Sequence, residues 1–372
     1  MIWRPTKVSR RALAALAAAS LAALAAADGL RPRRPQPFLK EKLAAAEKMH
    51  EAISAVSRHR AGAGYEFDLS IDPRRTGMIG PEFTPITNDR GSLRAKQIVL
   101  NPNFAALAVQ MFKQAGVRRG DTVTVAWTGS LPGANLAVLS AAEVLGIRLI
   151  PIHSISASMY GANDPQFAWL DMEKLLHEEG VFDTRSVMAT YGGDEDRGKG
   201  LGRDARGLIQ DIAARTDVPL VREDDLTGQI RRREQEYARL AGGAPIRAYV
   251  NIGGGIGSIG ARINGLIMTP GVNRSTRGKD FGRAGVMTRM AQRGVPVIHI
   301  NYIDRLCRRY GYASDPAADP TPGAGPMFLR RTHNLFLVAA LLAGLLAVFF
   351  ITIRIDTPRY LHRRPATIHA GV

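Results

Sequence analysis

Residues 122–146 read TVTVAWTGSLPGANLAVLSAAEVLG. The segment 122–127 carries no charge and is rich in β-branched and apolar residues, the composition of a strand buried on both faces. Gly129, Ser130 and Pro132 then mark a turn, and the apolar pattern that follows over 134–145 is helical. A strand, a turn and a helix in that order are the opening of an α/β unit. The junction by itself is compatible with many ligands and with none.

Outward from that stretch the pattern repeats. Segments 149–154, 186–191, 247–252 and 296–302 read as strands, and 104–115, 167–179, 203–215, 225–240 and 282–292 read as helices between them. Such alternation predicts an α/β fold, a doubly wound and mostly parallel sheet covered on both faces. Ligands of such sheets bind beyond the carboxyl ends of the strands, where the turn at Gly129 and Ser130 falls.

Three glycine-rich turns compete for phosphate. In GGGIGSIG, Gly255, Gly257 and Gly260 have G-x-G-x-x-G spacing, with Asp280 downstream, yet the following residues lack the long helix that a dinucleotide loop opens. Glycines that let backbones pack closely are the commoner explanation. GDEDRGKG matches G-x-x-x-x-G-K through Gly193, Gly198 and Lys199, but Gly200 stands where Ser or Thr is needed, and its acids repel phosphate. No cofactor is therefore expected. Asp194, Glu195 and Asp196 are the candidate ligands for a metal cation or an amine, or simply face solvent.

The opening turn fails as a nucleophile elbow, since Thr128 and Pro132 occupy the glycine positions of G-x-S-x-G. Ser130 with a strand-end histidine, His153 or His299, is the remaining catalytic candidate. Otherwise Gly129, Ser130, Gly133 and Asn135 form a set of donors at a helix start, suited to a carboxylate. The alternative is a capped turn with nothing bound.

The 372 residues can bury a sizeable core, and their formal net charge of +17 points to an anionic partner: nucleic acid, lipid headgroups or an acidic polymer. Arg4, Lys7, Arg10 and Arg11 at one end, and Arg354, Arg359, Arg363 and Arg364 against Asp356 at the other, leave +10 between them. Cys307 is the single cysteine, so it reports no compartment. LFLVAALLAGLLAVFFITI, residues 335–353, is uncharged and about 28 Å long as a helix, enough for a transmembrane span. ALAALAAASLAALAAA, after four basic residues, reads as a short anchor or a signal peptide, and SRRAL hints at a twin-arginine signal.

The expected organisation is a signal or signal-anchor at 1–28 and a basic Pro-rich spacer at 29–37. An extracytoplasmic α/β domain follows at 38–312, opening with an amphipathic helix. A Pro/Gly linker at 313–334, the span at 335–353 and a basic cytoplasmic tail at 354–372 complete it. Arg31, Arg33, Arg34, Arg330 and Arg331 on the inner flanks make the charge asymmetry modest.

Four blocks, AWTGSLPGANLAVLSAAEVLG, PIHSISASMYGANDPQFAWLDME, YVNIGGGIGSIG and GVPVIHINYIDRLCRRYG, lie in order between the two hydrophobic ends. Together they resemble the bacterial poly-gamma-glutamate system proteins over nearly the whole chain. The most specific block places Asn163 and Asp164 in a polar turn before Trp169, Asp171 and Glu173, and adds both to the candidate ligand-binding residues. The resemblance implies a process, synthesis and export of poly-gamma-glutamate beside membrane subunits of its synthase at the bacterial inner membrane, with no nucleic-acid partner. It carries over no catalytic residue. Three functions follow as expectations: binding of the polymer, an enzyme that trims or transfers it, and a membrane scaffold without a ligand site.

Overall fold

The computed structural model describes residues 10–361, with side-chain surroundings as far as Thr352. The parts of the basic tails at residues 1–9 and 362–372 lie outside it. The chain divides into two compact units, one formed by its two ends as far as Pro35 and from Leu329 onward, the other by Gln36–Phe328.

In chain order, the first elements are α1 (Arg10–Gly29), β1 (Arg33–Pro35), α2 (Leu39–Gly62), β2 (Thr87–Asp89), α3 (Leu93–Val99), α4 (Phe104–Ala115) and β3 (Thr122–Thr128). Next come α5 (Pro132–Leu145), β4 (Arg148–Ser154), β5 (Ala157–Ser158), α6 (Trp169–Glu178), β6 (Met188–Thr190), α7 (Ala205–Arg215), α8 (Leu226–Ala241) and β7 (Ile246–Ile252). The remainder are α9 (Ile256–Ile259), α10 (Arg262–Ile267), β8 (Gly271–Asn273), α11 (Val286–Gln292), β9 (Val297–Ile300), α12 (Ile303–Tyr310), β10 (Leu329–Arg331) and α13 (Leu335–Leu361).

The larger unit is a mixed α/β fold around a six-stranded sheet of order β6-β4-β3-β7-β9-β8. All neighbours run parallel except β8, which lies antiparallel on β9. The chain steps outward from β3 to β4 and β6, then returns to the other side of β3 for β7 and β9. Strand order therefore reverses between β3 and β7, the place where such sheets open a crevice. Every residue of β3 is buried, which explains why its sequence carries no charge, even on the face where Thr122, Thr124 and Thr128 lie. Val123, Val125 and Trp127 enter one core with residues of α2, α4 and α5, while Ala126 enters a second with Ile150, Tyr249 and residues of α8 and α11.

Helix α5 is apolar on nearly all sides, the exposed Glu143 apart, because it is packed against α2, α3 and α4. Its first turn meets the end of α3 so closely that a Cβ on Gly133 would lie 2.4 Å from the Val99 carbonyl oxygen and 2.6 Å from its carbon. That contact, rather than the approach of a ligand, accounts for the glycine.

Other differences from the sequence have local causes. The three-residue edge strand β8 and the short helices α3 and α12 carry too few residues to show a period. The segment read as a linker from residue 313 belongs to the larger unit as far as Phe328. Pro-rich backbone there finds donors on the body: Arg74 Nη2 reaches the carbonyls of Pro316 (2.5 Å) and Ala318 (2.7 Å), and Asn103 Nδ2 that of Thr321 (2.9 Å). Met327 and Phe328 are buried behind it.

In the smaller unit α1 packs along α13, and β1 pairs antiparallel with β10, setting Arg33 opposite Arg331 and Arg34 opposite Arg330. Arg10–Gly29 and Leu335–Thr352 are long and apolar enough, by length and composition, to cross a membrane.

Candidate functional site

A cleft of about 590 Å³ lies at the carboxyl ends of the parallel strands. Thr128 closes β3 beneath it, with Ser130 and Leu131 leading into α5; Ser154 closes β4, and Gly192 and Gly193 follow β6. The Gly253–Gly255 turn follows β7, and Asn301–Arg305 leaves β9 for α12. The opposite wall is the β2–α3 segment, from Asn88 to Lys96. The turns are glycine-rich because they run against neighbours. A Cβ on Gly253 would sit 2.6 Å from Thr128 Oγ1, one on Gly257 2.5 Å from Asp196 Oδ2, and one on Gly260 2.2 Å from the Gly285 nitrogen. The G-x-G-x-x-G spacing thus serves close packing, and only the short α9 and α10 follow it.

Beneath the cleft lies a fully buried ion pair. Arg233 Nε and Nη2 reach Asp196 Oδ2 at 3.0 and 2.8 Å, and Nη2 also donates to Ser154 Oγ (2.8 Å) and Thr190 Oγ1 (2.7 Å). The Ser154 and Thr190 hydroxyls donate in turn to Asp196 Oδ1 at 3.0 and 2.9 Å. Burial alone would lower the Arg233 guanidinium, but Asp196 beside it holds it above its ordinary value.

This geometry separates the three acids read as one cluster. Asp196 turns inward to Arg233, Glu195 pairs with Lys199 (2.8 Å) and Arg197 (3.3 Å), and the exposed Asp194 faces Arg262 at 3.7 Å on the cleft rim. Glu195 and Asp196 both adopt left-handed backbone conformations (φ 58° and 60°), which splays their side chains. Among the described residues no group of three His, Cys, Asp or Glu side chains is placed to hold a metal ion.

Of the residues read as ligand-binding, Ser130 alone lines the cleft. Its Oγ accepts the Ser158 N–H at 3.0 Å. A side chain on Gly129 would strike Ala157 Cβ at 2.9 Å, and Asn135, fully buried, donates to the Thr128 carbonyl at 3.0 Å. Asn163, equally buried, ties the Pro81 carbonyl (2.9 Å) to Thr87 Oγ1 (2.8 Å), and Asp164 pairs with Arg60 at 3.1 Å. These polar residues look like a binding set in sequence because the same residue types cap turns and dock loops.

His153 is fully buried in β4, in register with Trp127 and Ala189, and does not line the cleft. Neither ring nitrogen has a hydrogen-bond partner among the described residues, and burial, with Arg233 nearby, lowers its pKa to about 3. It is not within hydrogen-bonding contact of Ser130, so the Ser130–His153 candidate is not assembled. His299 is also buried; its Nδ1 faces Asn251 Nδ2 at 3.0 Å and its Nε2 the Gly265 carbonyl at 3.2 Å, and burial lowers it to about 4.

What sequence reading missed is Lys96. Only 4% exposed, it lines the cleft and donates from Nζ to Ser158 Oγ at 2.8 Å. Burial pushes its ammonium down to about 8, against the pull of Asp89. Around it the cleft carries Arg90, Arg262 and Arg305 together with Asp89, Asp194 and Asp304. Cations and carboxylates that alternate around one opening suit a ligand bearing both charges.

Comparison of the chain with protein-family models, with curated proteins and with solved structures finds no match.

Proposed function

We propose that this chain is a membrane-anchored accessory protein of poly-gamma-glutamate synthesis and export, and that its cleft binds the polymer. In this reading the sheet is doubly wound, α1 and α13 lie in the bacterial cytoplasmic membrane beside the synthase subunits, and the larger unit is extracytoplasmic. One observation carries the binding assignment: the cleft at the strand ends holds Arg90, Arg262, Arg305 and the buried Lys96 beside Asp89, Asp194 and Asp304. Each internal unit of a γ-linked glutamate chain presents one carboxylate and one uncharged amide, and the chain's amino end presents an ammonium. Guanidinium groups grip such carboxylates in two-pronged fashion, and the aspartates suit the ammonium. The four sequence blocks support the identity of the polymer.

Calorimetry on the detergent-solubilised full chain tests the binding. Poly-gamma-glutamate should bind, and affinity should fall as salt rises, because exposed charges are screened over about 8 Å at physiological ionic strength. Arg262→Glu should weaken binding about tenfold, the equivalent of about 1.4 kcal/mol, by placing a carboxylate opposite Asp89 and Asp194. Unchanged affinity in that variant would place the polymer elsewhere.

Sidedness is tested separately. Cys307 is buried and its thiol is pushed up to about 12, chiefly by burial, so it does not report accessibility. Arg206→Cys on the exposed side of α7 supplies a reporter. A membrane-impermeant maleimide should label it in intact spheroplasts. Labelling only after lysis would put the larger unit in the cytoplasm, the side that the basic β1–β10 ribbon would favour.

A further inference from the structure

We propose that Ser158 and Lys96 form a nucleophile and base pair in the cleft, acting on amide-linked acyl groups that carry a neighbouring carboxylate. The inference rests on the cleft being the ligand site. Ser158 ends β5, the short strand that pairs with β2, and Lys96 reaches it from α3 on the same side of the cleft. Nζ and Oγ are 2.8 Å apart, hydrogen-bond reach for a proton transfer.

The backbone of Ser158 is fixed from both directions, its N–H by Ser130 Oγ (3.0 Å) and its carbonyl by the Gly161 N–H (2.9 Å). Gly91 packs over the pair: a Cβ there would lie 2.7 Å from Lys96 Nζ and 3.0 Å from Ser158 Oγ. Among the described residues no carboxylate lies within ion-pairing distance of Lys96. Lys42 is buried too, but it lies in α2 and lines no cleft. Burial without a carboxylate in ion-pair contact makes the Lys96 ammonium give up its proton more readily than an exposed lysine, although Asp89 favours the ammonium.

In that form Nζ takes the Ser158 Oγ proton as Oγ bonds to the amide carbonyl carbon. Collapse of the tetrahedral adduct breaks the C–N bond, and Lys96 returns the proton to the departing nitrogen. Ser158 then carries the acyl group as an ester. Water attacks that ester, giving up a proton to Lys96, which restores the Ser158 hydroxyl as the carboxylic acid leaves. An amine in place of water gives acyl transfer instead. The arginines of the cleft hold the neighbouring carboxylate.

A fluorophosphonate probe applied to the full chain in detergent, followed by peptide mapping, tests the pair without assuming the substrate. One adduct is expected, on Ser158, absent from Ser158→Ala. Lys96→Met and the charge-retaining Lys96→Arg should both slow labelling at least 100-fold, within the usual range for loss of a general base. The labelling rate of the wild type should rise with pH to a plateau above the Lys96 inflection. Asp89, Arg90, Asp194, Arg262, Tyr302, Asp304 and Arg305 line the same cleft, and Asp89→Asn should move that inflection down, since Asp89 favours the ammonium.

No adduct on Ser158, or an equal rate in folded Lys96 variants, overturns the pair. Should both Lys96 variants unfold, the wild-type profile decides: an inflection below the ordinary lysine range supports it and a flat profile overturns it. Calorimetry with poly-gamma-glutamate separates the two readings. Labelling without polymer binding keeps the pair and rejects the polymer, whereas polymer binding without labelling does the reverse.

Discussion

Asp196→Ala should lower the unfolding free energy by about 3–5 kcal/mol, the usual cost of removing one partner from a buried ion pair. Arg233 would then stand fully buried with its positive charge uncompensated, still hydrogen-bonded to the Ser154 and Thr190 hydroxyls. The space cannot be relieved by the Gly257 turn, which already lies against both Asp196 and Arg233. Replacing both partners, as in Asp196→Asn with Arg233→Met, should recover much of the loss, because both charges leave together with their desolvation cost, while Asn keeps the left-handed backbone at 196. Urea unfolding of the wild type, the single variant and the double variant measures both effects. A single-variant loss below about 1 kcal/mol would show that the pair contributes little beneath the cleft. Because Ser154 belongs to both the network and the cleft floor, ligand affinity should fall with Asp196→Ala even where the chain remains folded.

His153→Leu should protect the chain against acid, by about 3 kcal/mol at pH 4, from about 1.4 kcal/mol per pH unit below the ordinary imidazole value. The folded-state pKa of His153 is lowered to about 3, so the unfolded chain binds the extra proton as pH falls below about 6.5. Stability from this group is therefore complete above that pH and is lost progressively down to the folded value. His299, lowered to about 4, contributes with the same sign. Glu173 opposes them. Buried, it is raised to about 7 although Ser186 and Trp169 donate to it, so its folded form holds a proton that the unfolded form releases, and stability is lost as pH rises from about 4.5 toward 7. Two histidines against one carboxyl leave net acid sensitivity. At pH 7 the variant should unfold within about 1 kcal/mol of the wild type, since it removes a buried imidazole whose nitrogens have no partner among the described residues. Urea midpoints at pH 7 and pH 4 are the check, and an acid loss identical to the wild type would reject the linkage.

Helix α4 and the strands at 122–127, 149–154 and 247–252 were legible because burial imposes a local composition: short runs dominated by β-branched and apolar residues in parallel strands, and a mostly apolar helix where it is covered. The same reasoning located the two long apolar terminal helices. It also placed the turn after β3 at a cleft, which Ser130 and Leu131 line, since sheet topology opens crevices at carboxyl ends.

The polar residues within and beneath the cleft could not be read this way. Ser158 and Lys96 are 62 positions apart, and Asp196 and Arg233 are 37 apart. In sequence each is an ordinary polar residue: Ser158, Lys96 and Asp196 lie on short or irregular segments, Arg233 is one of several arginines along α8, and α3 sets its buried lysine between Arg94 and Gln97. Conversely, Asn135, Asn163 and Gly133 have the chemistry of binding residues but spend it on the Thr128 carbonyl, the Pro81–Thr87 loop and the Val99 backbone. Apolar periodicity depends on neighbours a few residues away, so the chain's own sequence determined the layered α/β architecture and its apolar ends. Burial and pairing of polar groups depend on which distant segments meet, so only the tertiary structure decided that Asp196 is a buried counter-ion, that His153 is a sealed neutral imidazole, and that Lys96 faces Ser158.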